Sequence, residues 1–199
     1  MVLEEINRHR IILASRSPRR KQLLEELGIR FDVISHDWNE EYPDGLAGAE
    51  IAVHLAEVKA ETFRDRIQGD EIIITADTIV WCNNRVLGKP VDEKEAIEII
   101  SEISGNTHEV ITGVCLLSKR GLRSFYSTTK VTFESLNPEE IEFYVRKYRP
   151  YDKAGAYGIQ EWIGLAACSH IEGSYFNVMG LPAEKLYHEL QLLVADAND

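Results

Sequence analysis

The feature that most constrains the fold of this chain is the run DEIIITADTIVWC, residues 70–82. So dense a series of Ile, Val, Thr and Trp reads as a strand buried on both faces, the kind found inside an α/β sheet. Asp77 follows the apolar EIIITA and is expected at the carboxyl end of that strand, where ligand clefts of such sheets form. An ionised Asp there is unfavourable unless it is hydrogen-bonded, paired or metal-bound. The plainer alternative is a turn cap made with Thr78.

The rest of the chain supplies partners for that strand. RIILAS and RFDVIS are short apolar strands, and AEIAVHLAEVKAETFRDR is a long amphipathic helix. NNR is a turn signal, making the segment through VLGKP a small hairpin. VDEKEAIEIISEIS and NPEEIEFYVRKYRP are helices. HEVITGVCLLS and RSFYSTTKVTFESL are long strands about a turn at residues 119–121. LAACSHIEGSYFNVMG is expected as strand, turn and strand, and LPAEKLYHELQLLVA as a closing helix. The alternation predicts an α/β fold with a mixed, twisted sheet and flanking helices. No linker divides the 199 residues, so one domain is expected over 1–199, with residues 1–10 an N-terminal extension. The Gly-rich stretch from Asp152 is where a second lobe is expected to return to the first.

Composition narrows the function classes. A net charge of −11 argues against broad binding to nucleic acid or anionic membrane, both of which need a basic face. Three scattered cysteines, Cys82, Cys115 and Cys168, read as free thiols of a reducing compartment. No apolar run approaches the roughly 18 residues of a membrane span, and the start lacks a secretory pattern. A cytoplasmic protein is expected.

In an acidic chain, one cationic cluster stands out. Ser17 is a good N-cap and Pro18 a good first helical residue, yet the first turn continues Arg19, Arg20, Lys21. A helix start carries about half a positive charge and favours Asp or Glu, and each misplaced cation costs about 0.3–1 kcal/mol at low salt. Later helices obey the rule, with Asp92 and Glu93, Glu139 and Glu140, and Glu184 at their starts. An anion seated on the first helix reverses the sign of the effect, because free N–H groups and arginines then converge on it. Arg19 and Arg20, preceded by Ser15 and Ser17, are therefore assigned to an anion site. Lys21 is assigned to solvent, paired with Glu25 or Glu26.

Other candidates are weaker alone. Lys59 falls with Ala52, Leu55 and Ala56 on the apolar side of its helix, where a lysine snorkels or reaches into a cleft. Lys89 is displayed between Gly88 and Pro90, but LGKP is not a phosphate-binding Walker loop, since Pro90 stands where Ser or Thr belongs. Glu40 and Glu41 lie in a polar loop. His108 opens a strand and reads as structural.

Together these residues resemble the Maf family of nucleotide pyrophosphatases. LASRSPRR resembles its opening S-x-S-P-R-R signature, EVKA its A-x-x-K-A helix motif, TADTIV its G-A-D-T strand and LGKP its following lysine. SGNTHEVITGV, DKAGAYGIQ and GSYFNVMGLP resemble its later signatures, in family order from about residue 11 to 190. The resemblance implies an elongated α/β fold, two lobes around a deep cleft, and metal-dependent hydrolysis of a nucleoside triphosphate to the monophosphate and pyrophosphate. DKAGAYGIQ looks like the branch that cleaves dTTP and UTP. By position, Asp77 is implied as the catalytic proton acceptor, and Arg19, Thr78 and Gln160 as residues that tune substrate choice. Ser15, Arg20, Glu40, Lys59 and Lys89 match phosphate- or metal-site positions, with Mg²⁺ or another divalent cation held by Glu40 and Asp77. Base and metal ligand are competing roles for Asp77. The implied partner is the nucleotide, with no nucleic acid or membrane and with room for a homodimer. Three departures stand out: Thr75 where the family usually has Gly, Glu161 where Gly commonly follows the glutamine, and Asn39 before Glu40 where an acid is common. Other classes are a phosphatase forming a phosphoaspartate on Asp77, disfavoured by Ile79 where a second Asp belongs, and a nucleotide-binding regulator of cell division without turnover.

Overall fold

The computed structural model of the protein describes residues 2–35, 38 and 41–195. Helix α1 (Val2–Ile6) precedes strand β1 (Ile11–Ala14), which is buried throughout. The Ser17 hydroxyl caps α2 (Pro18–Glu26) by accepting from the Arg20 N–H at 3.4 Å. α2 leads to β2 (Phe31–Ile34), parallel to β1 with Ile11 opposite Phe31. α3 (Ala49–Glu61) leads to β3 (Ile72–Cys82), also parallel to β1 with Ile11 opposite Ile72. Parallel neighbours require such crossovers.

Asp77 lies in the middle of β3, not at its carboxyl end as its sequence context suggests. The apolar run continues through buried Ile79 and Val80, and antiparallel pairing with β4 (Arg85–Leu87) extends the strand to Cys82. The turn of this hairpin is Asn83–Asn84, with φ of 50° and 60°. Both angles suit the type I′ geometry that asparagine tolerates and tight hairpins prefer.

The chain continues through α4 (Glu93–Ile103), β5 (Thr107–Ser118), β6 (Gly121–Phe133), α5 (Pro138–Tyr148) and α6 (Trp162–Ala166). It ends with β7 (Cys168–Glu172), α7 (Tyr175–Met179) and α8 (Ala183–Ala195). Among the described residues seven strands form one mixed sheet, in the order β2-β1-β3-β5-β6-β7 with β4 on β3. The fold is α/β, as the alternating patterns require. The later segment GSYFNVMG is a correction: α7 replaces the expected second strand. Asn177 is fully buried and donates to the Val110 carbonyl and to Thr129 Oγ1, each at 3.0 Å. That tether overrides the β preference of Tyr175 and Phe176.

Contacts divide the chain into two compact units. The first comprises Met1–Asp77, Thr112–Ser127 and Gly180–Asp199, the second Thr78–Ile111 and Thr128–Met179. The stretch from Asp152 lies inside the second unit, so the chain returns at Gly180 rather than there. In the first unit α1 packs on α8, and Ile12, Ala56, Ala60, Phe63, Ile73 and Leu117 contribute to the core. α3 approaches β5 closely: a Cβ on Gly113 would lie 2.2 Å from the Ala52 carbonyl oxygen. α3 stops at Glu61, where the Thr62 hydroxyl donates to the Lys59 carbonyl at 2.7 Å, and a short 3₁₀ turn follows at Arg64–Arg66. In the second unit α4 packs on α5; α4 buries Ile100 and Ile103, and α5 buries Tyr144 and Val145. α5 starts with a reciprocal capping box between Asn137 and Glu140 and ends at Arg149, whose φ is 47°. Among the described residues no helix is long and apolar enough to cross a membrane. All three cysteines are free, with Cys82 and Cys115 buried.

Candidate functional site

The first unit brings together two charges that the sequence separates by 18 residues. Lys59 Nζ donates to Asp77 Oδ2 at 2.6 Å, and each residue is only 7% exposed. α3 supplies the lysine from its apolar side, and β3 supplies the aspartate. The Lys59 ammonium also stands 5.8 Å from the centre of the Trp38 ring. Taking two ions out of water is costly, and removing one partner leaves the other stranded. Hydrophobic residues of similar volume are often equally stable in such places. Stability alone therefore does not account for the buried pair. The Thr75 departure has a local account. Its hydroxyl, fully buried, donates to the Ala56 carbonyl at 2.7 Å and ties β3 to α3 two residues before Asp77.

The basic helix start lies in the same unit. Ser15 is buried, and its hydroxyl accepts from the Ser17 N–H at 3.1 Å, fixing the turn from β1 into α2. Arg20 donates from Nε to the Gly180 carbonyl at 2.8 Å and from Nη1 to the Ala76 carbonyl at 2.9 Å. Two donors of this guanidinium thus hold backbone, one of them at the residue before Asp77. Arg19 is half-buried. Lys21 is 3.7 Å from Glu25 on the exposed side, as its position indicates.

The remaining candidates belong to the second unit, apart from Glu40, which lies outside the described residues. Thr78 is half-buried on β3. Lys89 is exposed just after β4, and the neighbouring Gly88 carbonyl accepts from the Gly155 N–H at 3.1 Å. Gln160 is exposed in a turn closed by the Glu161 N–H donating to the Gly158 carbonyl at 2.9 Å. Sequence reasoning missed Lys153 and Tyr144, which hold the Glu161 carboxylate. The local signal was slight: a lysine among the small residues of DKAGAYG, and a tyrosine on the buried stripe of α5.

His108 is structural. Its Nε2 is 2.8 Å from Tyr157 Oη, and its ring meets Phe133 and Tyr157 edge-on. Burial pushes its pKa down to about 4, so the ring is neutral at physiological pH.

Among the described residues no group of three or more His, Cys, Asp or Glu side chains could hold a metal ion. Among the described residues Asp77 is the one buried carboxylate; Mg²⁺ commonly uses one or two carboxylates and completes its shell with water and substrate phosphates.

A family model described as Maf-like protein matches residues 10–193. A dTTP/UTP pyrophosphatase of Phocaeicola vulgatus is 52% identical over 193 residues, covering 96% of this chain and 100% of that protein. One of Bacteroides fragilis is 49% identical over the same length, again covering 96% and 100%. One of Flavobacterium johnsoniae is 47% identical over 194 residues, covering 98% and 100%. With the family model and full-length relatives in agreement, the chain belongs to the Maf-like protein family.

Proposed function

We propose that this chain hydrolyses dTTP and UTP to the nucleoside monophosphates and pyrophosphate. The observation that carries the proposal is the buried Lys59–Asp77 pair at 2.6 Å. It supports a proton acceptor held in place by a cation, in a chain whose full-length relatives bear the name dTTP/UTP pyrophosphatase. Asp77 orients the attacking water and accepts its proton. Phosphoryl-transfer chemistry is dominated by positioning and charge stabilisation. Arg19 supplies this to the phosphate oxygens, with Ser15 holding the approach to the helix. Lys59 and Lys89 add positive charge, and Arg20 braces the backbone beside Asp77. Thr78 and Gln160 select the nucleotide.

Asp77 and Glu40 are the proposed holders of Mg²⁺. When bound, the ion neutralises charge that builds on the phosphate oxygens. The proposed setting is the cytoplasm, where free thiols persist.

The test is incubation with Mg²⁺ and a panel of nucleoside triphosphates. Pyrophosphate released from dTTP and UTP ahead of purine nucleotides supports the proposal. Orthophosphate instead indicates a phosphatase, and binding without products a regulator. Chelation should stop turnover, and Mg²⁺ should restore it.

A further inference from the structure

Glu161 follows Gln160 and is one of the residues at which this chain departs from the resemblance. As a sequence feature it looks like a negative charge placed beside the nucleobase. Its carboxylate is in fact turned inward. Oε1 lies 3.2 Å from Lys153 Nζ, and Oε2 accepts the Tyr144 hydroxyl. Lys153 is 8% exposed, Tyr144 fully buried, and the Glu161 side chain 17% exposed. The Lys153 ammonium also meets Asp152 Oδ1 at 2.8 Å.

The same tyrosine holds the other end of the turn. Tyr144 Oη accepts from the Gly158 N–H at 3.0 Å while donating to Glu161. Burial, with Glu161 beside it, pushes the Tyr144 phenol up, so it keeps the proton it donates. α6 closes the third side: a Cβ on Gly164 would fall 1.8 Å from the Ile159 carbonyl oxygen. Gly158 and Ile159 are buried and Glu161 is half-buried, leaving Gln160 as the exposed residue of the turn.

We infer that Glu161 is a positioning residue: through Lys153 and Tyr144 it locks the turn that presents Gln160, and so sets nucleobase selectivity. The inference rests on the proposed role of Gln160 in nucleotide selection. Glu161 contributes rigidity to that role, with its charge neutralised by Lys153 rather than offered to the base. A buried polar cluster with every partner in place fixes one arrangement, and a partly satisfied one does not.

The experiment compares the full-length wild type with Glu161→Gln, Glu161→Ala, Tyr144→Phe and Gln160→Ala. Its readouts are kcat and KM for dTTP and dATP, inhibition by inorganic pyrophosphate, which has no base, and Tm. Glu161→Ala and Tyr144→Phe should raise KM for dTTP and lower the dTTP-to-dATP ratio of kcat/KM about tenfold. Pyrophosphate inhibition should stay within about twofold of wild type, since phosphate contacts are untouched. Glu161→Gln, nearly isosteric, should keep the fold and show a smaller effect in the same direction. Gln160→Ala should match Glu161→Ala, and the double variant should add little to either, as expected for residues acting in series. An equal fall for both nucleotides, or an unchanged ratio in Glu161→Gln, Glu161→Ala and Tyr144→Phe, overturns the role of Glu161. An unchanged ratio in Gln160→Ala shows that Gln160 does not select the base, and the inference falls with it.

Discussion

Arg20 Nη1 donates to the carbonyl of Ala76 at 2.9 Å, one residue before Asp77. With Nε on the Gly180 carbonyl at 2.8 Å, the guanidinium spans two segments of the first unit. A helix start that looks built only for an anion thus also holds the strand that carries the proposed catalytic carboxylate. The planar fork of arginine can serve both carbonyls, while a lysine ammonium keeps the charge without that geometry. Arg20→Lys should therefore lower kcat about tenfold and reduce Tm by a few degrees, with KM for dTTP little changed. Steady-state kinetics and a thermal melt check this. A variant with wild-type kcat would show that charge alone is used at this position.

Asp77→Asn should reduce turnover at least about a thousandfold while calorimetry still detects dTTP binding, because it removes the proton acceptor and little volume. Activity within a factor of a few of wild type would remove Asp77 from the role of base.

The buried pair makes a separate stability prediction. Lys59→Met removes the ammonium that Asp77 accepts from at 2.6 Å, where each partner is 7% exposed, and should destabilise the fold by about 3–5 kcal/mol. Adding Asp77→Asn to Lys59→Met should recover part of that loss, since the buried negative charge is then gone as well. Urea unfolding of the single and double variants measures both. A double variant less stable than Lys59→Met would contradict the account.

His108 gives the fold a pH dependence. Its pKa is pushed down to about 4 in the folded protein, whereas an unfolded chain titrates near about 6.5. Between those values the unfolded state binds more protons, so stability is complete above about pH 6.5 and is lost progressively as pH falls toward 4. The shift corresponds to about 3 kcal/mol from this one residue. Urea unfolding between about pH 4.5 and 7 should show a steeper fall for wild type than for His108→Phe. Equal slopes would mean that the ring is protonated in the folded protein too.

Asn177→Leu should cost about 1–3 kcal/mol, because it leaves the Val110 carbonyl without the amide that now donates to it at 3.0 Å. Denaturant unfolding measures the loss, and a value near zero would show that α7 is held by its neighbours instead.

What was legible in the sequence was local. The Ser17 cap, the Asn83–Asn84 hairpin and the acidic start of α5 at Glu139 and Glu140 each lie within a few residues of what they organise. Asp77 was found as a functional candidate but misplaced along its strand, since apolar residues continue on both sides and only the pairing with β4 fixes the end. α7 was misread because the hydrogen bonds that decide its shape reach residues 48 and 67 positions away. The cage around Glu161 was invisible for the same reason: Tyr144 sits on another helix, 17 positions earlier. Lys59 was placed on the correct face, but nothing in its helix announced the aspartate it would meet.

Gly113 sets a mechanical tolerance for all of this. The missing Cβ lets β5 lie against Ala52, and Lys59 sits seven positions further along α3. Seven residues are close to two helical turns, or about 10 Å of lever arm on the same face. A single methyl at position 113 would act as a shim under the helix. The helix that carries one half of the buried ion pair is thus seated by the absence of a side chain at position 113.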